Sequence, residues 1–409
     1  MKKRSRVGKE VLEVYRKASP SAISIESRDY YNKLFGWQKE LWQGRLKIPL
    51  SALSGAKVFD FGCGTGEIDV FLARNKAVVA GADFNPDSIS RARQLAGHFA
   101  LNSRLTFKVA DIHNRIFPQR RGDFVISLGV LPHVQDPAKV FRNMIRASKP
   151  GGFIVVGFVE ELGIVQRLLH RSIIRAIAGL DEKKIMEIAR QAFPDHIRRS
   201  VRFGLRTERS VVFDYLVNRH MYGLPLENVI GWFKEEGVSY YSSWPSIELP
   251  LEINPYTSER IDFMHPLWKE YRALLRLRWL FSQHEDAGVF GSLLEAPGCR
   301  TLARNVDSLS SLLAGLVQNQ KNDWQEDDLS SVRDASRMII RHFDSRLLGL
   351  HKALQSELTG RLKDLDKVLS RIVKLQRRES ENFKIGVNLF RELNGLGTFY
   401  LAGINDRKD

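Results

Sequence analysis

Asp60-Phe61-Gly62-Cys63-Gly64-Thr65-Gly66-Glu67 sets glycines at alternate positions between an apolar run and a helix-forming stretch. Such glycines let backbone N–H groups approach a ligand that a Cβ would block. The helix start beyond them adds a partial positive field. The GxGxG spacing is not the dinucleotide fingerprint GxGxxG, so the glycines alone select no ligand. Two acids narrow the choice. Asp83 closes the next apolar run, where a carboxylate can take both hydroxyls of a ribose. Asp111 closes the third, placed to bind an adenine amino group, with Ile112 packing on the ring. Asp87 and Asp136 read instead as helix N-caps, and Pro137 follows Asp136 at the first helical position.

These residues act together only if the chain brings them to one edge. The runs KVFDFG, AVVAGADF, LTFKVAD, DFVISLGVL and FIVVGFV are short, rich in Val, Ile and Phe, and closed by Gly or Asp. Helical stretches at 68–75, 87–100 and 137–147 separate them. That alternation predicts βαβ units around a buried parallel sheet. Ligands bind outside the carboxyl ends of such strands, where the glycine loop and both acids converge. Further on, a short helix over 227–236 is stopped by Gly237 and followed by a strand over 238–244. A helix is expected over 268–281. Two segments compete for a seventh strand: 288–294, preferred here, and 397–403.

Length and composition set the frame. The chain has 409 residues, 43% hydrophobic and 27% charged, enough for a sizeable core in two or three domains. A wholly disordered protein is excluded. The formal charge of +16 favours an anionic partner without choosing among nucleic acid, acidic lipid and phosphorylated substrate. Two cysteines, Cys63 and Cys299, cannot build a disulfide framework or a four-cysteine zinc site, and no metal is expected. No apolar run approaches the roughly 18 residues of a membrane span. The basic start, with Lys2, Lys3, Arg4, Arg6 and Lys9, lacks the apolar stretch of a secretory signal. A cytoplasmic protein is therefore expected, with residues 1–26 as a solvated basic arm or, as the alternative, a phosphate-seeking one. The aromatic lead-in of Tyr30, Tyr31, Phe35, Trp37 and Trp42 is expected to pack in the core or as a lid, with cover of a bound cofactor as the alternative for some of them.

Residues 159–223 read as a basic helical insertion. Beyond 297 the texture becomes long amphipathic helices, with apolar residues at 343, 347, 350, 354, 358, 362, 365, 369 and 372. That stripe predicts one continuous helix over about 328–378. Its steps break a strict heptad, so the stripe meets either the chain's own domain, a second copy or a partner helix.

FDFGCGTGE, GADFNPDSI, VADIHN, VISLGVLPHVQDP and ASKPGGFIVVG resemble the successive motifs of class I S-adenosylmethionine-dependent methyltransferases. More narrowly they are similar to a bacterial branch with a GVLHHTPDP-type fourth motif, with Pro132 where that branch usually has His. The resemblance covers roughly 27–296. It implies an α/β fold with a Rossmann-like seven-stranded sheet of order 3-2-1-4-5-7-6, a helical insertion over the acceptor pocket and a helical C-terminal extension from 297. It implies S-adenosyl-L-methionine as cofactor, its amino-acid end cradled by Asp60, Gly62, Gly64 and Gly66. Asp83 would hold the ribose, Asp111 the adenine, and Leu128 to Val130 would line the methionine end. A hydroxyl acceptor needs a base near its proton, and His133 and His220 are the candidates, with Tyr222 nearby. No Asn/Asp-Pro-Pro-Tyr segment and no Pro-Cys nucleophile is present, which disfavours amino-methylation of nucleobases and C5-pyrimidine chemistry. The expected reaction is O-methylation of a small-molecule, glycan or lipid-linked acceptor. RNA methylation is the runner-up on charge, although no RNA-binding motif is visible. A catalytically quiet assembly module is the reading from a different class.

Overall fold

The computed structural model describes residues 10, 12–16, 28–179, 181–204, 207–218, 222–249, 267–280, 293–318, 326–344, 352–376 and 397–407. Seven strands form one sheet: β1 (Lys57–Phe61), β2 (Val78–Asp83), β3 (Leu105–Val109), β4 (Gly122–Leu128), β5 (Ser148–Val159), β6 (Val238–Trp244) and β7 (Thr398–Asn405). Their order is β3-β2-β1-β4-β5-β7-β6, as expected. β1 to β5 run parallel, and β7 is antiparallel to both β5 and β6. The parallel strands lie between helices on two faces, which is why they read as nearly unbroken apolar runs.

On one face lie α1 (Arg28–Lys39), α2 (Glu67–Arg74) and α3 (Pro86–His98). The aromatic lead-in packs there as expected: Trp42, Tyr30 and Tyr31 are buried, and the Tyr31 ring meets Phe99 edge-on at 4.9 Å. Trp37 alone of that set is well exposed. On the other face lie α4 (Pro137–Ala147) and the whole helical insertion. Asp136 caps α4 as expected, accepting from the Lys139 N–H at 2.9 Å. The expected cap Asp87 is corrected. Asn85 caps α3, accepting from the Asp87 N–H at 3.0 Å, with Pro86 at the first helical position. An asparagine does this job as well as an aspartate, and the proline had already marked the helix start.

After β5 come α5 (Val165–Ala178), α6 (Glu182–Ala192), α7 (Pro194–Gly204) and α8 (Glu208–Val212), which runs into a π-helical turn over Phe213–Val217. Then α9 (Leu226–Glu235) ends at Gly237, whose φ of +62° provides the expected stop before β6. α10 (Trp268–Leu275) continues as a 3-10 turn, Arg276–Leu280. Beyond it stand α11 (Cys299–Gln318), α12 (Glu326–Asp344) and α13 (Lys352–Gln376).

Two expectations about this last region are overturned. The seventh strand is β7 and not 288–294; Leu293 to Glu295 are helical, and 281–292 lie outside the described residues. The helices from 299 to 376 therefore sit within the sheet's connectivity, between β6 and β7, and are not a tail. Both segments alternate apolar and small residues equally well, and only pairing with β5 decides between them. Phe399 stacks on Phe158 at 5.9 Å, and Gly397 passes so close to Gly163 that a Cβ on either would sit 2.1 Å from the other's Cα. The single long helix is likewise two antiparallel ones. Arg333 on α12 pairs with Asp366 at 2.8 Å and Ser370 at 2.6 Å on α13, while Thr359 donates to Asp344 at 3.3 Å. The apolar stripe faces inward: Phe343, Leu354, Leu358, Leu362, Leu365, Leu369 and Ile372 belong to the same buried cluster as the sheet. Leu347 and Leu350 lie outside the described residues. No helix among the described residues is long and apolar enough to cross a membrane.

Arg276 fastens these helices to the sheet. It reaches Glu160 at the end of β5 (3.4 Å), Glu227 on α9 and Asp307 on α11 (2.8 Å). Arg272 adds a second bridge to Glu227 at 2.6 Å. Because β7 lies between β5 and β6, a chain ending at Ala296 loses that central strand. Such a protein is expected to aggregate or to lack a cooperative denaturant transition. A monodisperse, cooperatively unfolding protein would instead restore residues 297–409 as a dispensable extension.

Candidate active site

The glycine loop leaves β1 and is tied at once to β2. The N–H groups of Gly62 and Cys63 both bond to the Ala82 carbonyl, at 2.8 and 3.1 Å. The Gly64 N–H then donates to Asp83 Oδ2 at 3.1 Å, and the Asn85 N–H donates to Oδ1 at 2.8 Å. The carboxylate thus accepts backbone bonds at both oxygens and keeps capacity for another. Burial pushes the Asp83 carboxyl up, and the bonds from Asn85, Gly64 and Phe84 work against that rise. Gly62 and Gly64 have φ of +95° and +54°, which side-chain-bearing residues rarely adopt. They differ in what surrounds them. A Cβ on Gly62 would meet Val130 at 2.5 Å, so that position keeps the loop against the end of β4. A Cβ on Gly64 would meet nothing within 4 Å, so the loop is open on this side.

Asp111, after β3, is held by its neighbour His113. Both the His113 backbone N–H (3.0 Å) and its Nδ1 (2.8 Å) bond to Asp111 Oδ1. These bonds hold the Asp111 carboxyl below its usual range. The other ring nitrogen, Nε2, accepts from the Asp136 N–H at 3.4 Å, which links the loop after β3 to the start of α4. Ile112 is buried in the apolar cluster beside Phe117. Leu128 ends β4, and the Gly129 N–H behind it bonds to the Gly157 carbonyl at 2.9 Å. The geometry thus assembles Asp60, Gly62, Gly64, Gly66, Asp83, Asp111 and Leu128 at one edge of the sheet.

His133 lies on the short 3-10 turn Leu131–His133, half-buried at that same edge. Its Nδ1 is 3.4 Å from Asn218 Nδ2, and the Tyr15 ring meets it edge-on at 5.9 Å. His220 lies outside the described residues. Tyr222 is close by, its N–H donating to the Pro132 carbonyl at 2.9 Å.

Three features escaped the sequence reading. Residues 12–16 are not free in solvent: they are helical, Leu12 is buried, and Tyr15 donates to Asp214 Oδ1 at 3.4 Å. Arg16 pairs with Asp87 at 3.3 Å, so this segment spans from α3 to the His133 side. Leu12 and Tyr15, three apart, were the available signal; Lys2 to Lys9 lie outside the described residues. Asn218 was the second, with no motif to mark it. The third is Asp69 on α2, fully buried directly behind the loop. Its signal was a lone acid inside the apolar stretch Ile68-Asp69-Val70-Phe71.

Asp69 and Asp60 are in contact. Burial pushes the Asp60 carboxyl up to about 7 against the pull of its hydrogen bond with Asp69. Burial and then the charge of Asp60 push Asp69 well above the carboxylate range. Two adjacent buried carboxyls stay together by sharing a proton. Burial likewise raises the Cys63 thiol, which makes it a poor nucleophile. Among the described residues no group of three or more His, Cys, Asp and Glu could hold a metal ion. The acid pair has a consequence for pH. The folded state keeps a proton that the unfolded chain, with carboxyls near 3.8, releases, so stability falls as pH rises from about 4 through 7. In Asp69→Asn the amide can donate to an ionised Asp60, and the pH slope between about pH 5 and pH 8 in urea unfolding is expected to flatten. Equal slopes in the two proteins would rule out the shared proton.

The open loop over Gly64, the unfilled capacity of Asp83 and the orphaned Oδ1 of Asp60 suit a nucleoside with a charged amino-acid end. Residues 52–192 match a family described as a methyltransferase domain, a stretch that contains the loop, Asp83, Asp111 and His133. Phosphoethanolamine N-methyltransferase 3 of Arabidopsis thaliana is 35% identical over 103 residues, 25% of this chain and 21% of that enzyme. Norajmaline N-methyltransferase of Rauvolfia serpentina is 29% identical over 133 residues, 32% of this chain and 42% of that enzyme. A ubiquinone biosynthesis O-methyltransferase of Coxiella burnetii is 33% identical over 100 residues, 24% of this chain and 42% of that enzyme. The matched stretch thus spans a fifth to two fifths of these relatives' length. A crystallised S-adenosylmethionine-dependent methyltransferase from Mesorhizobium loti is 27% identical, with a TM-score of 0.26, over 29% of this chain and 52% of that one. The relatives include both N- and O-methyltransferases, so likeness selects no acceptor atom. Residues 52–192 thus match a methyltransferase domain, and the strand order is the one implied by the resemblance to class I S-adenosylmethionine-dependent methyltransferases, whose cofactor is S-adenosyl-L-methionine.

Proposed function

We propose that the protein methylates an oxygen of a small-molecule, glycan or lipid-linked acceptor. The observation that carries the reading is the convergence of the open glycine loop, Asp83, Asp111 and His133 at the carboxyl ends of β1 to β4. Asp60, Gly62, Gly64 and Gly66 would hold the amino-acid end of the cofactor, Asp83 the ribose, Asp111 and Ile112 the adenine, and Leu128 the methionine chain. When bound, the cofactor supplies an electrophilic methyl group on a sulfonium.

The protein's part is to position an acceptor in line, keep water away and take its proton. His133 stands at the right edge for the last role. For its Nε2 to accept a proton, Nδ1 carries the hydrogen and Asn218 turns its amide oxygen toward it. The amide oxygen and nitrogen exchange places by a half-turn of the Asn218 side-chain amide, and the tautomer changes by moving one proton. His220, on the segment leading to Tyr222, is the alternative base. Tyr15 and the Leu12–Arg16 segment would shield the site from solvent.

Calorimetric titration tests the cofactor assignment. Asp83→Ala is expected to weaken S-adenosylmethionine binding by about 1.5–3 kcal/mol, as for hydrogen bonds to a charged group. Gly64→Val should abolish it, because the side chain would occupy the open side of a left-handed residue. Unchanged affinity in both variants would overturn the cradle. The acceptor is sought with methyl-labelled cofactor and fractionated cell extract. With the acceptor in hand, His133→Asn is expected to lower turnover by about 10²–10⁴-fold while cofactor affinity holds. Full turnover would exclude His133 as the base.

A further inference from the structure

Arg171 stands out among the buried charges of this protein. It lies on α5, only 5% exposed. Its Nη2 donates to the Tyr215 carbonyl at 3.5 Å, at the outer limit of a hydrogen bond. Its Nε is buried with no hydrogen-bond partner. A guanidinium has five N–H donors, so most of its capacity is unused. Nowhere else do the described residues leave a buried arginine so poorly matched. Arg276 has three carboxylates, Glu160, Glu227 and Asp307. Arg361 has Glu357 at 2.8 Å, and Arg278 lies over the Trp244 ring at 4.7 Å.

The surroundings of Arg171 add positive charge. Arg167 and Arg175 lie one turn away on either side, on the same face of α5. Burial, then the charges of Arg175 and Arg167, push the Arg171 pKa down to about 9, which still leaves it charged at neutral pH. The groups that favour its charge are Asp214 and Tyr222. The Arg167 guanidinium lies 3.8 Å from the centre of the Tyr215 ring, so two guanidiniums converge on one residue. That residue belongs to the turn bordering the candidate acceptor site. Asp214 beside it accepts from Tyr15, and Asn218 just beyond contacts His133.

We propose that Arg171, with Arg167 beside it, is an oxyanion subsite for the methyl acceptor, which therefore carries a phosphate or carboxylate group. The identity of that ligand as the acceptor rests on the methyltransferase reading; the anion site itself does not. A planar guanidinium fork fits either group through two parallel N–H···O bonds. The Leu12–Arg16 segment lies on this side through Tyr15.

The test is thermal unfolding of the full chain in phosphate, acetate or chloride at matched ionic strength, with Arg171→Met and Arg171→Lys beside the wild type. Phosphate or acetate is expected to raise the wild-type midpoint above that in chloride, and whichever acts names the group. Arg171→Met should lose that rise, and Arg171→Lys should keep part of it. In chloride Arg171→Met should melt no lower than wild type, because a buried charge crowded by Arg167 and Arg175 has been replaced by a packed apolar chain. A purely structural Arg171 would make it melt lower, with the anion response intact. No oxyanion response in the wild type, or the same response in Arg171→Met, overturns the proposal. Calorimetric S-adenosylmethionine titration of the same proteins separates the two readings. Wild type that fails to bind the cofactor sinks the methyltransferase reading and leaves the anion result standing. Equal cofactor affinity in wild type and Arg171→Met shows that the fold of the variant is intact.

Discussion

The bond from the Gly64 N–H to the Asp83 carboxylate joins the two halves of the proposed cofactor edge, and much of the site depends on it. It fixes the loop after β1 against the end of β2 while leaving the outer side of Gly64 clear. Without it, the acid that would hold a ribose and the amides that would face an amino acid have no common reference. The two bonds to the Ala82 carbonyl brace the same joint from beneath. Behind them sits the Asp60–Asp69 pair, where a shared proton stands in for the counter-charge that the pocket lacks. The glycine loop and the shared proton thus occupy one small volume at the end of β1.

The proposed acceptor side is built differently. There the sheet supplies only the turn holding His133, and the walls come from the insertion after β5 and from residues 12–16. Their placement depends on distant chain. Arg276 pulls β5, α9 and α11 together, and β7 returns from the far end of the sequence to lie between β5 and β6. The helices from α11 to α13 are thereby part of the catalytic domain's own core. A buried ion cluster of this kind is costly to desolvate, and its use here is to specify where the helices dock.

Local chemistry made the cofactor edge legible in the sequence. A glycine loop, an acid closing a strand and a capped helix are each decided within a few residues, so β1 to β5 and the Asp136 cap read correctly, and Asp83 and Asp111 lie at the strand ends where the sequence put them. The seventh strand was not legible, because 288–294 and 397–403 have similar texture and the choice lies in contacts with β5. The same limit hid the antiparallel pairing of α12 and α13, whose stripe continues at helical spacing through the connection. Asp69, Asn218 and Arg171 escaped for a related reason. Each matters through what the fold sets opposite it, and a single sequence shows none of those partners. Asp87 was misread because Asn85 and Asp87 are both able caps, two residues apart.

Hydrogen–deuterium exchange with and without S-adenosylmethionine tests the central claim most directly, because it reads the edge segment by segment without needing the acceptor. The account predicts new protection in the segments containing Gly62 to Gly66, Asp83 to Asn85 and Asp111 to His113, with the far strands β6 and β7 unchanged. Protection absent from the glycine loop, or confined to the helices beyond 299, would contradict it.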